Sequence, residues 1–203
     1  MNWQAGGDGL LALAAFWVVL GPGRRLPAVQ LACLLLGSAA VLGTLRFSGV
    51  LPLPQLHQFM SLLGAGVGLP LLALALVAPD GAVASERRYT WIFAVVAAVL
   101  CVLLGVVAGL KLWGSVCAFA SALTIAGVAA RRRDRLALGV GICMVLAFAT
   151  FAAQVSAGPL RPGEFLHVGL ALAMLLLGRW ATLSVIPAPD QVEGRLRRES
   201  MKS

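Results

Sequence analysis

Long runs of apolar residues follow one another along the chain and are interrupted by short polar or proline-rich pieces. A helix that spans a membrane needs ~20 mainly apolar residues, and seven stretches reach this length. They cover residues 3–21, 27–45, 55–77, 90–108, 112–130, 136–154 and 163–181. Glycine and proline fill the gaps at 21–23 and 52–54, where they end one helix and begin the next. The pattern predicts an all-α fold, a single bundle of seven transmembrane helices within residues 1–187.

Composition supports the membrane class and excludes several others. Of the 203 residues, 60% are apolar and 12% are charged, whereas a soluble domain has about 45–50% apolar and 25% charged residues. A soluble protein of this size could not hide so much apolar surface from water. The composition therefore excludes a soluble enzyme, a disordered chain and a disulfide-stabilised scaffold. Residues 188–203 are polar and basic, and we expect them to form a cytoplasmic tail.

The basic residues predict the orientation of the bundle. With seven crossings, twelve lie on one side: Arg24, Arg25, Arg87, Arg88, Arg131, Arg132, Arg133, Arg135, Arg195, Arg197, Arg198 and Lys202. The other side holds Arg46, Lys111 and Arg161. Because basic loops stay in the cytoplasm, this asymmetry predicts an outer N-terminus and an inner C-terminus. The net charge of +8 is thus explained by topology and the lipid bilayer, without a nucleic-acid partner. The Ala/Leu/Gly/Arg-rich composition and short loops favour a bacterial inner membrane.

Polar residues inside the spans are few, and most of them fall near the predicted outer side. They are Asp8, Arg46, His57, Ser61, Gln154, Glu164 and His167. Such residues are costly in lipid and usually pair with one another or form a functional site. One interpretation is structural, with Asp8 paired to Arg46. Another is an outward-facing pocket that binds, senses or transports a small molecule or lipid, and Pro70 supports it by breaking the third helix.

A faint internal repeat also favours a pocket. Arg24 precedes His57 by 33 residues, and Arg132 precedes His167 by 35, with a proline-rich loop before each histidine. Two such units joined by the fourth helix would give a 3+1+3 layout. This layout, the chain length and the outer N-terminus resemble the SWEET and PQ-loop transporters. That resemblance implies a ligand site at the interface of two parallel repeats.

A metal site is the main alternative. Asp8, His57 and His167 would form a two-histidine, one-carboxylate set for zinc or iron, with Glu164 as a fourth ligand or base. The metal would activate water for hydrolysis. Seven helices with scattered Ser, Asp and His weakly resemble the alkaline-ceramidase and adiponectin-receptor group of membrane hydrolases. The two histidines could also ligate haem, but no other feature favours it, so the sequence leaves both the cofactor and the question of enzyme activity open.

The sequence contains two small-residue motifs that are typical of helix packing, Gly64-xxx-Gly68 and Gly105-xxx-Gly109. Glycines four residues apart let the backbones of two helices approach closely in lipid. We expect both motifs to serve packing within the chain, although the same motif can also form the interface of a homo-oligomer.

Overall fold

A computed structural model describes residues 3–157 and 161–184, and the regular elements in these ranges are helical. The described part contains seven helices that are long and apolar enough to cross a membrane. They are α1 (Trp3–Leu20), α2 (Pro27–Phe47), α3 (Pro54–Val77), α4 (Arg87–Val107), α5 (Trp113–Arg132), α6 (Arg135–Ala152) and α7 (Pro162–Ser184). Their ends lie within three residues of the predicted ones, which confirms the all-α, seven-helix class. The predicted tail at 188–203 lies outside the described residues.

Proline and a capping aspartate determine where several helices begin. Pro27, Pro54 and Pro162 occupy the first positions of α2, α3 and α7, where a residue without an N–H costs no helical hydrogen bond. At the start of α6, the Asp134 carboxylate accepts hydrogen bonds from two backbone N–H groups, at 3.1 and 3.0 Å. Such a cap satisfies donors that would otherwise have no partner within the helix.

Six of the seven helices form a closed ring. Each of α1, α2, α3, α5, α6 and α7 packs against the next in this order, and α7 packs against α1. Helix α4 lies outside the ring and packs mainly against α3. Only 17% of its most apolar stretch is buried, against 28–56% for the other six helices. The ring encloses the interior of the bundle, and α4 covers only part of its outer face.

Helix α3 passes through Pro70 without a break, so the predicted break is wrong. The helix continues to Val77 and widens into a π-helical segment at Gly64–Gly68, just before the proline. Proline has no N–H to donate to the carbonyl four residues earlier, and the wider turn accommodates this loss. The deviation lies in the half of α3 that faces the interior cavity described below.

Three of the four motif glycines pack within the chain, as predicted; the fourth, Gly109, lies beyond the end of α4 with a φ of 66°, and a Cβ there would meet no atom within 4 Å. A Cβ atom placed on Gly64 would lie 3.3 Å from the Leu36 side chain of α2, and one on Gly68 would lie 3.4 Å from the Ala32 carbonyl. A Cβ on Gly105 of α4 would lie 3.1 Å from the Leu62 side chain of α3. These glycines therefore bring α2, α3 and α4 close together.

Candidate functional site

A cavity of about 940 Å³ occupies the centre of the ring. It lies toward the end of the bundle where α1 begins at Trp3, which we call the Trp3 end; the opposite end is the Arg24 end. All six ring helices contribute to its wall. Of the seven predicted site residues, five line it: Asp8, His57, Ser61, Gln154 and His167. The ring thus brings together side chains that are up to 159 positions apart in the sequence.

Asp8 and His167 form a buried pair between α1 and α7. Nε2 of His167 lies 3.2 Å from Oδ1 of Asp8, and the Asp8 side chain is 1% exposed. A hydrogen bond at this distance needs one proton between the two atoms. The other two polar atoms of the pair, Asp8 Oδ2 and His167 Nδ1, are buried and have no hydrogen-bond partner in the part of the chain that the structure describes. The structural interpretation in which Asp8 pairs with Arg46 is therefore wrong, because its partner is His167.

Two glycines make room for this pair. A Cβ atom on Gly43 of α2 would lie 2.6 Å from Cγ of Asp8, closer than real Cβ contacts come. A Cβ on Gly7 would lie 3.3 Å from the Cβ of His167. The absence of a side chain at Gly43 is therefore required for α2 to pack this closely on α1 at this level, and its absence at Gly7 eases the approach of α7.

Arg46 and His57 form a second pair, at the Trp3 end of α2 and α3. Nη1 of Arg46 lies 3.3 Å from Nδ1 of His57. A guanidinium group can only donate, so Nδ1 of His57 must accept and the ring proton must be on Nε2. The Phe47 ring lies edge-on to the imidazole, with centroids 5.8 Å apart, and Arg46 Cζ lies 5.1 Å from the Phe47 centroid. His57 lines the cavity while Arg46 does not, so Arg46 acts there by orienting the imidazole.

The side chains of the remaining predicted residues form hydrogen bonds with nearby backbone groups. The Ser61 hydroxyl donates to the His57 carbonyl at 2.8 Å. The predicted span to residue 154 is too long, because α6 ends at Ala152 and Gln154 lies in a turn with a φ of 52°. Its side-chain amide donates to the Phe151 carbonyl at 2.8 Å. Glu164 is buried and does not line the cavity; its Oε2 accepts from the Arg161 N–H at 2.6 Å, as a cap at the start of α7.

Several residues of the cavity wall were not predicted as site residues. Lys111 and Arg161 line its Trp3 end, although their positions in the sequence indicate only topology. Four phenylalanines also line it: Phe47, Phe119, Phe148 and Phe151. The rings of Phe119 and Phe148 are 5.7 Å apart and connect α5 to α6. The sequence contains a weak indication of this aromatic wall, because Phe148 and Phe151 are three residues apart and share a helix face.

The metal interpretation gains no support from this geometry. The described residues include no group of three His, Cys, Asp or Glu side chains that could hold a metal ion. Asp8 and His167 do lie together, but Nδ1 of His57 is directed to the cation of Arg46. Glu164 is engaged with the backbone of its own helix.

Comparisons of the chain with protein-family models, curated proteins and solved structures found no match. The geometry of the bundle is therefore the basis for a functional proposal. Its main elements are the closed ring, the cavity within it and the two hydrogen-bonded pairs at its Trp3 end.

Proposed function

We propose that this chain is a multi-pass membrane protein whose central cavity binds a small molecule or lipid. The observation that carries the proposal is the cavity itself. At about 940 Å³ it falls in the range of roughly 300–1,000 Å³ that is usual for ligand sites. Its wall is mainly apolar with a few convergent polar groups from separate helices, which is the composition typical of such sites.

The basic residues support an orientation in which the ligand arrives from outside. Among the described residues, eight basic residues lie in or beside the connections at the Arg24 end and three lie in or beside those at the Trp3 end, and the positive-inside rule puts the richer side in the cytoplasm. Trp3 and Trp113 begin their helices at the Trp3 end, where indole rings favour the headgroup level. We place the protein in a bacterial inner membrane with the cavity toward the outer face.

A transport role would follow if the predicted 3+1+3 repeat is real. The ring order is compatible with this repeat: exchanging α1, α2 and α3 with α5, α6 and α7 reproduces the ring contacts, as it does in any ring of six helices that follow chain order. A parallel repeat of three helices, with α4 as the linker, would produce this arrangement. The cavity would then lie between the two units, where repeat transporters hold their ligands. Superposing α1–α3 on α5–α7 tests the repeat directly.

The binding proposal can be tested with a substitution that narrows the cavity. Ser115 of α5 lines the cavity and is exposed, so the indole ring of Ser115→Trp can enter the cavity with little strain and should weaken ligand binding. The next residue, Val116, is 56% exposed and does not line the cavity. Val116→Trp is therefore a matched control on the same helix.

The measurement is mass spectrometry of small molecules and lipids extracted from the purified proteins. We expect one or more species to be present in near-stoichiometric amount in the wild-type protein and in Val116→Trp, and to be clearly depleted in or lost from Ser115→Trp. Identical extracts from all three proteins would contradict a ligand site in this cavity.

A further inference from the structure

The polar part of the cavity is basic. Lys111, in the connection between α4 and α5, and Arg161, at the start of α7, both line it. Both are exposed, and neither has an acidic partner among the described residues. Asp8 is the one acidic residue among those that line it, and Asp8 is engaged with His167. Two cations therefore remain without a counter-ion at the Trp3 end of the cavity.

The second pair adds a hydrogen-bond donor to these cations. Because Arg46 donates to Nδ1 of His57, the proton of the imidazole is on Nε2, and the cavity-lining ring is a donor. A ligand group that only accepts hydrogen bonds would suit all three residues. Carboxylates and phosphates are such groups, and hydrogen bonds to them from cationic donors are the strongest in proteins.

The other end of the cavity is apolar. Leu11, Leu36, Leu69 and Leu170 line it, and the side chains of these residues are buried. Leu69 lies fifteen residues after the start of α3 at Pro54, which is roughly 20 Å along a helix axis. We call Lys111 and Arg161 the basic rim; the four phenylalanines named above line the same cavity. The cavity is therefore amphipathic along its length, with its charge confined to one end.

We propose, on the basis of the proposed function above, that the ligand is a single-chain amphiphilic anion. Its acidic head would contact Lys111, Arg161 and His57, and its hydrocarbon chain would pack among the phenylalanines and leucines. A fatty acid and a monoacyl phosphate lipid share this chemistry. Each buried CH₂ group would add ~0.8 kcal/mol, so the chain supplies affinity and the head supplies selectivity.

Tryptophan quenching by a brominated fatty acid tests the inference. Trp113 lies between the cavity-lining residues Leu112 and Gly114. In the full chain, purified in an uncharged detergent, 9,10-dibromostearate should quench fluorescence saturably, and Trp113→Phe should lose that component. Competition by oleate and by oleoyl lysophosphatidate shows which acidic head binds better. The uncharged methyl ester of dibromostearate should bind ~10-fold more weakly, because it loses a hydrogen bond to a charged group. Such a bond contributes about 1.4 kcal/mol, and this free energy corresponds to a tenfold change in affinity.

Two double variants, each lacking two basic charges, distinguish recognition by Lys111 and Arg161 from a general electrostatic attraction. The double variant Lys111→Gln/Arg161→Gln should weaken dibromostearate ~10-fold or more and leave the methyl ester unchanged. Arg24→Gln/Arg25→Gln removes the same charge at the Arg24 end and should leave both ligands unchanged.

Three results would overturn the inference. Equal affinities for dibromostearate and its methyl ester would contradict recognition of an anionic head at the basic rim. An equal loss of affinity for dibromostearate in both double variants would contradict it as well. The absence of saturable quenching by both compounds would contradict an amphiphile. The proposed function would survive each result if Ser115→Trp still loses a co-purified molecule, and it would fail separately if that variant loses nothing.

Discussion

Gly43 determines, at the scale of one residue, whether the buried Asp8–His167 pair can form. A methyl group at this position would overlap the Asp8 carboxylate, so Gly43→Ala must push α2 away from α1 or Asp8 away from His167. Overpacking of this kind costs ~1–3 kcal/mol. We expect a clearly lower unfolding temperature in detergent. Gly6→Ala is the control, because its methyl group would meet no atom within 4 Å; an equal loss in both variants would contradict the contact.

The energy of the Asp8–His167 pair can be measured with a double-mutant cycle. His167→Ala leaves a carboxylate with 1% exposure and without its partner, so we expect it to be strongly destabilising. Adding Asp8→Ala removes the orphaned carboxylate and should restore part of the stability. The two changes should be non-additive by ~1–3 kcal/mol in thermal or SDS unfolding. Additive effects would show that the two side chains do not interact.

At the scale of the helix, α4 is held by one face only. Cys101 is 1% exposed, and its Sγ lies against Gly66 in the π-helical segment of α3. Val99, two residues earlier, is 52% exposed. Cys101→Leu should therefore overpack the α3–α4 contact and cost ~1–3 kcal/mol, while Val99→Leu should change the unfolding temperature little. The reverse ranking would mean that α4 docks by its other face.

The helices could be predicted from the sequence, but their internal deviations and partners could not. Length and apolar content decide whether a segment can span a membrane, and both are local properties. The π-helical segment before Pro70 and the turn at Gln154 depend on how neighbouring backbone groups are satisfied in the bundle. The choice of His167 over Arg46 as the partner of Asp8 depends on α7 lying beside α1, which no local pattern encodes. Residue types therefore predicted five members of the cavity wall, and the ring determined their pairing.

Orientation is a property of the whole molecule and follows from the summed basic charge. Green fluorescent protein fused after Ser203 should fluoresce, and alkaline phosphatase fused there should be inactive, because we expect this end in the cytoplasm. Alkaline phosphatase inserted after Gly49, in the turn that follows α2, should be active. The opposite result at both positions would reverse the orientation and place the cavity toward the cytoplasm.

The closure of the ring between α7 and α1 has a consequence for biogenesis. In the proposed membrane topology, helices are inserted in the order of synthesis, so α1 would enter the bilayer before α7 exists. Until then Asp8 has no His167 beside it, and a carboxylate in lipid without a partner is costly. The early intermediate must therefore keep α1 near water, near the insertion machinery or close to α2. The wall of the cavity is completed only when α7 packs against α1, so the proposed ligand site cannot form before that step.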